Sequence, residues 1–146
     1  MEFTNPAQEA CYGKVARWMK EMYGEMVTPL EKSPAFVLPL GSSMTYLLVS
    51  PWGKDDATIT IFAYVVSGAG LTFDLMYALL KENNNFGFGA FSVNENGDIV
   101  FSHTIVGSWC DKEELRASVR TVAQVADDYD DSIIDQWGGR RAVDVH

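Results

Sequence analysis

Basic residues are scarce in this chain: 11 Lys and Arg stand against 20 Asp and Glu, a formal net charge of −9 over 146 residues. So acidic a surface repels phosphate groups, which argues against nucleic acid and against an anionic membrane as partners. Cysteine and histidine are scarcer still, with two of each. Cys11 and Cys110 lie far apart, and His103 and His146 complete no metal-binding spacing, so no bound metal and no cofactor is expected. Long apolar runs are missing: the longest, around residues 59–66, is too short to cross a bilayer. The start MEFTNPAQEA has neither the charged opening nor the apolar stretch of a secretory signal, so a cytoplasmic location with reduced thiols is expected. No Gly-x-Ser-x-Gly or Cys-x-x-Cys motif is present, and the reading is of a protein that is not an enzyme.

What the chain does have is apolar content. Hydrophobic residues make up 47% of it, enough for a chain of this size to bury a real core. One domain over residues 1–146 is expected, with a frayed tail over 140–146. Asn5-Pro6 starts a first helix, with Cys11, Val15, Trp18, Met19 and Met22 recurring at three and four, and Thr28-Pro29 closes it. Strands are predicted over 36–40, at an edge between prolines, then over 44–52 and 57–66, where apolar and polar residues alternate. Thr72 caps a second helix that carries Leu75, Met76, Leu79 and Leu80, and an Asn-rich turn ends it. Two more strands, 88–93 and 99–106, flank Asn94-Glu95-Asn96-Gly97-Asp98, and Asn-Gly between alternating runs marks a hairpin. Asp111 with Glu114 opens a last helix along Leu115, Val119, Val122, Ala126, Tyr129, Ile133 and Trp137, which stops at Gly138-Gly139. The order is α-β-β-β-α-β-β-α, an α+β fold whose sheet is largely antiparallel with packed helices.

The segment over 79–115 holds the most information. Its Phe86-Gly87-Phe88-Gly89-Ala90-Phe91 follows an Asn-rich helix end, and the hairpin and acidic-capped helix come after. These features resemble the YbjN family, whose fold is shared with type III secretion chaperones. The likeness extends over roughly 36–139 and is most specific over 71–138. It implies a secretion-chaperone-like module that binds protein or extended peptide segments, often as a homodimer, and it brings no catalytic residues.

The residues themselves offer several candidate sites. In the third strand Thr58, Thr60, Phe62 and Tyr64 share the face opposite Ile59 and Ile61, and Tyr46 and Trp52 belong to the same side of the preceding strand. An antiparallel sheet with one wet face should be polar there. Tyr46, Trp52, Phe62 and Tyr64 are therefore candidate walls of a partner-binding surface; the other readings are a dimer face or a face covered by a helix. An extended peptide added as a further strand is the expected mode of capture. Asp127, Asp128, Asp130, Asp131 and Asp135 crowd the last helix, as a solvated face or as an acidic patch for a basic partner. His103 with Cys110 and Asp111 is the one conceivable nucleophile set, and a packed histidine is the plainer reading. Alternatives to a peptide-binding module are a regulator or scaffold acting through stable assembly, and a small-molecule binder or enzyme.

Overall fold

The computed structural model describes residues 1–145. Helix α1 spans Pro6–Tyr23, and its N-cap Asn5 accepts a hydrogen bond from the Gln8 backbone N–H at 2.7 Å. The same Asn5 side chain donates to the carbonyls of Gly53 and Asp56, tying the helix start to a distant turn. The helix ends at Gly24, several residues before Thr28-Pro29. Those two residues instead form a short strand, β1.

Strands β2 (Ala35–Leu40), β3 (Ser43–Trp52) and β4 (Asp56–Ser67) form a meander. Helix α2 (Phe73–Glu82) follows, then the hairpin β5 (Ala90–Val93) and β6 (Ile99–Val106), then the long helix α3 (Lys112–Trp137). Residues Arg140–Arg141 make a last strand, β7, paired with the end of β4. The sheet order is β1-β2-β3-β4-β6-β5, and every pairing is antiparallel. The expected α+β order therefore stands, with β1 and β7 added. The tail is not frayed as expected: Arg141 pairs with Val66, and Ala142 is buried. His146, the last of that tail, lies outside the described residues.

Period-two alternation places Leu47, Val49, Ile59, Ile61, Ala63, Phe101 and Ile105 on one face of the sheet, all buried. Helices α1 and α3 cover that face with Val15, Met19, Leu115, Val119, Val122, Ala126 and Ile133. Between Tyr64 and Val66 the β4–β6 register shifts. This irregularity buries both Val65 and Val66, which breaks the strict alternation along β4.

The Phe86 to Phe91 segment closes the far end of the core. Phe101 sits among Phe86 and Phe91 at ring separations of 5.0 and 5.2 Å. Tyr129 of α3 packs on Phe86 and Phe91, and its hydroxyl donates to Glu82 at 2.6 Å. That bond to a carboxylate pushes the Tyr129 hydroxyl up to about 12.

The hairpin turn is organised by Asn94. Its side-chain oxygen accepts from the N–H groups of Asn96 and Asp98, both at 3.0 Å. Gly97 has a φ of +80°, where a Cβ is strained. Gly97→Val is expected to lower stability by about 1 kcal/mol or more, read from the midpoint of urea unfolding. An unchanged midpoint would show that this turn does not constrain the fold.

Candidate binding face

Helices α1 and α3 pack on the side just described, so among the described residues neither covers the sheet's other face; the short 3-10 helix Ala142–Asp144 lies against β3 and β4. It presents Val37 and Pro39 of β2, Met44, Tyr46, Leu48 and Ser50 of β3, and Thr58, Thr60, Phe62 and Tyr64 of β4. Val100, Ser102 and Thr104 of β6 and Ala90 and Ser92 of β5 continue it, each registered beside its neighbour. None of these side chains carries a formal charge. Most are half-buried by one another. Asp56, at the first position of β4, turns its carboxylate to Ser108 and to the Ala57 N–H, and those bonds hold it below the usual carboxylate range.

The structure brings three of the four predicted aromatic residues together. Tyr46 lies opposite Phe62 across β3 and β4, stacked at 5.2 Å. Tyr64 meets both rings edge-on at 5.7 Å. Burial raises the Tyr46 hydroxyl above its ordinary value. Trp52 is six residues further along β3, about 20 Å away at the usual strand rise. It is 55% exposed and marks the rim of the face.

The five aspartates of α3 do not act as a group. Asp127 accepts from the backbone N–H of Ser42 at 3.0 Å and also from its hydroxyl, which holds the Asp127 carboxyl low. Asp130 is buried and accepts from the same hydroxyl at 2.9 Å. Together they clamp the β2–β3 turn, where Gly41 is at φ +58° and a Cβ would come within 3.0 Å of Asp127. Asp131 pairs with Arg141 at 3.0 Å. Asp128 receives a bond from Gln124, and Asp135 is exposed. Because α3 covers the opposite face of the sheet, none of these is beside the aromatic rings.

The conceivable nucleophile set is otherwise engaged. The Cys110 thiol is pushed up to about 12 by burial, with Glu114 adding to the effect, and burial also raises Cys11. Asp111 caps α3 by accepting from the Glu114 N–H at 2.7 Å. His103 shares the core face and meets the Phe88 ring at 5.4 Å, and burial lowers its pKa. Among the described residues no group of His, Cys, Asp and Glu converges in a way that would hold a metal ion.

The closure of the sheet's edges leaves no mark in the local sequence. On the outer side of β5, Asn83 of the Asn-rich turn reaches the backbone of Phe91. Its side-chain oxygen accepts from the Phe91 N–H at 2.7 Å, and its amide nitrogen donates to the Phe91 carbonyl at 3.3 Å. Those are the two bonds an added strand would make. At the opposite edge, the Leu30 N–H donates to the Ala35 carbonyl at 2.9 Å, so Ala35, Val37 and Pro39 are the β2 residues whose backbone turns outward. Val37 already pairs with Thr28, and Pro39 has no N–H. Beyond it, β1 offers Pro29, which has none either. Prolines and side-chain caps are the usual means of blunting an edge.

The state of α2 is equally unmarked in the sequence. It buries Leu75 and Leu79 but leaves Phe73 80% and Leu80 68% exposed, with Met76 and Tyr77 between them. Two apolar stripes run side by side on this helix, and only one meets the core.

Several solved structures share this fold. The ExsC–ExsE complex matches with a TM-score of 0.65 at 18% identity, over 84% of this chain and 95% of the other. The HopA1–SchA chaperone–effector complex gives 0.62 at 5% identity, over 82% and 91%. YbjN from E. coli, described as a putative transcription regulator, gives 0.59 at 11% identity, over 83% and 92%. No curated protein matches the sequence. The family model described as "T3SS (YopN, CesT) and YbjN peptide-binding chaperone 1" matches residues 11–145, and the chain belongs to that family of peptide-binding chaperones.

Proposed function

We propose that this chain captures a segment of another protein on the open face of its sheet and carries out no chemistry of its own. One observation carries the reading: in a chain of net charge −9, a face five strands wide bears no charged side chain apart from Asp56 at its Trp52 end. Surfaces that apolar and that broad mark interaction sites. Tyr46, Phe62 and Tyr64 form the central wall, since clustered aromatics dominate interface energies, and Trp52 closes one end. Two of the similar structures are complexes, one of them described as a chaperone with its effector, which supports a protein ligand. Asp128, Asp131 and Asp135 act at a distance, raising the association rate of basic partners in a salt-dependent way. A cytoplasmic setting suits the two buried free thiols, Cys11 and Cys110. The acidic surface argues against nucleic acid and membranes as partners.

A photo-reactive amino acid placed at Phe62, and separately at Arg17 on the exposed side of α1, tests the site in the native cell. Adducts with another protein are expected from position 62 and not from position 17. Equal adducts from both positions would place the site elsewhere.

A second surface favours self-association. The exposed stripe Phe73, Met76, Tyr77 and Leu80 occupies one helix, as an antiparallel helix pair requires. Two-fold pairing of α2 with a second copy sets Asp74 at one end against Lys81 at the other. We therefore place the homodimer on α2 and leave the sheet face to the partner. Sedimentation equilibrium at micromolar concentration should give twice the chain mass for the native protein and a monomer for Leu80→Glu. A native monomer at every concentration would remove the dimer.

A further inference from the structure

We propose that the captured segment lies across the open face as an amphipathic helix, held by side chains, and does not join the sheet as an added strand. This inference rests on the reading of that face as the binding site, and it replaces the extended strand that the sequence suggests.

The edges supply the first argument. The main-chain groups of Phe91 that a new strand needs on β5 are already taken by the Asn83 side chain. On the other side Val37 is paired, and Pro39 and Pro29 have no N–H to donate. A strand added at either edge would displace existing bonds or leave its own backbone groups unmatched.

The chemistry of the face also disfavours an extended segment. An extended segment laid over it would bring a peptide N–H and C=O at every residue against Met44, Tyr46, Leu48, Phe62 and Tyr64. Those side chains provide few partners, and buried backbone groups without partners are costly. Thr60 and Thr104 already bond each other at 3.0 Å, which leaves Ser102, beside Phe62, as the hydroxyl nearest the middle. A helix satisfies its own backbone and offers only side chains. It can therefore bury an apolar stripe on this face with no main-chain bond to the chaperone.

The dimensions agree. From β2 to β5 there are four strand spacings, about 19 Å at the usual separation. A helix of about 13 residues covers that distance at the usual rise per residue. Its docking side carries apolar residues at i, i+3, i+4 and i+7. Its outer side carries lysines, which the net charge of −9 attracts during encounter.

Two synthetic peptides of identical composition test this. One places Leu and Phe at helical spacing with Lys and Gln elsewhere, and the other permutes the same residues to strict alternation. Binding is measured by fluorescence anisotropy to the native protein, to Phe62→Glu, to Thr60→Lys and to Asn83→Ala, each first confirmed as folded by its unfolding transition. The helical peptide is expected to bind at least tenfold tighter than the alternating one. Phe62→Glu and Thr60→Lys should each weaken it at least tenfold, and Asn83→Ala should leave it unchanged. Tighter binding of the alternating peptide, or its strengthening in Asn83→Ala, would overturn the helical mode; loss of that binding in Phe62→Glu would show that the face itself is still the site. Binding untouched by both face variants would overturn the site along with the mode. Binding of neither peptide at 100-fold excess over protein overturns the helical mode.

Discussion

Phe101→Ala will remove about 3–5 kcal/mol of stability, the range for truncating a fully buried phenylalanine. Domains of this kind hold about 5–15 kcal/mol in all, so the variant will be marginal or unfolded at 25 °C. The magnitude follows from position. Phe101 is 0% exposed and is the ring that joins Phe86 and Phe91 under α3. Removing it leaves a cavity where β5, β6 and the end of α2 meet, and the Tyr129–Glu82 bond loses its packing support. Urea unfolding followed by tryptophan fluorescence measures the loss. A change below about 1 kcal/mol would mean that this end of the sheet is not part of the core.

The opposite result is expected on the other face. Truncating both Tyr46 and Phe62 to alanine should weaken partner capture about 100-fold, at about 1.4 kcal/mol per tenfold, because paired aromatics at an interface centre each contribute at least that much. Stability should fall by less than about 2 kcal/mol, the sum of two half-buried rings and one cross-strand contact. Capture is measured as the affinity for a cross-linked partner once identified, or for the helical peptide. If the double variant unfolds as readily as Phe101→Ala, these rings are core, and the face is not free.

The contrast between Phe62 and Phe101 was legible in part from the sequence. Strict alternation over β3 and β4 assigns Ile59, Ile61 and Ala63 to one face and Thr60 and Phe62 to the other, and period two leaves no freedom in that assignment. The caps were equally legible: Asn5, Thr72 and Asp111 each accept from the N–H three residues ahead. Asn-Gly marks the β5–β6 turn in the sequence, although the residue that organises it is Asn94.

Other features were hidden for definable reasons. Leu75 and Leu79 share a stripe, and Met76 and Leu80 share the adjacent one; helical periodicity cannot say which of two apolar stripes meets the core. Asn83 looked like a helix terminator, and its bond to Phe91 depends on two elements meeting in space. Ser42 gave no sign of holding Asp127 and Asp130, since that contact spans most of the chain. Thr28-Pro29 carries the local signal of a helix stop, but its pairing with Phe36 and Val37 makes it a strand that shields the edge. Local sequence thus revealed the faces of the sheet but not the closure of its edges.

Methionine methyl spectroscopy distinguishes capture on the sheet face from capture on α2. The chain has six methionines, and three of them report separate regions. Met44 lies on the open sheet face, Met76 on the exposed stripe of α2, and Met19 in the core. On adding a captured protein segment, helical or extended, the Met44 methyl signal is predicted to shift or broaden while Met76 and Met19 stay in place. A shift of Met76 with Met44 unmoved would contradict the account and move the binding site to α2.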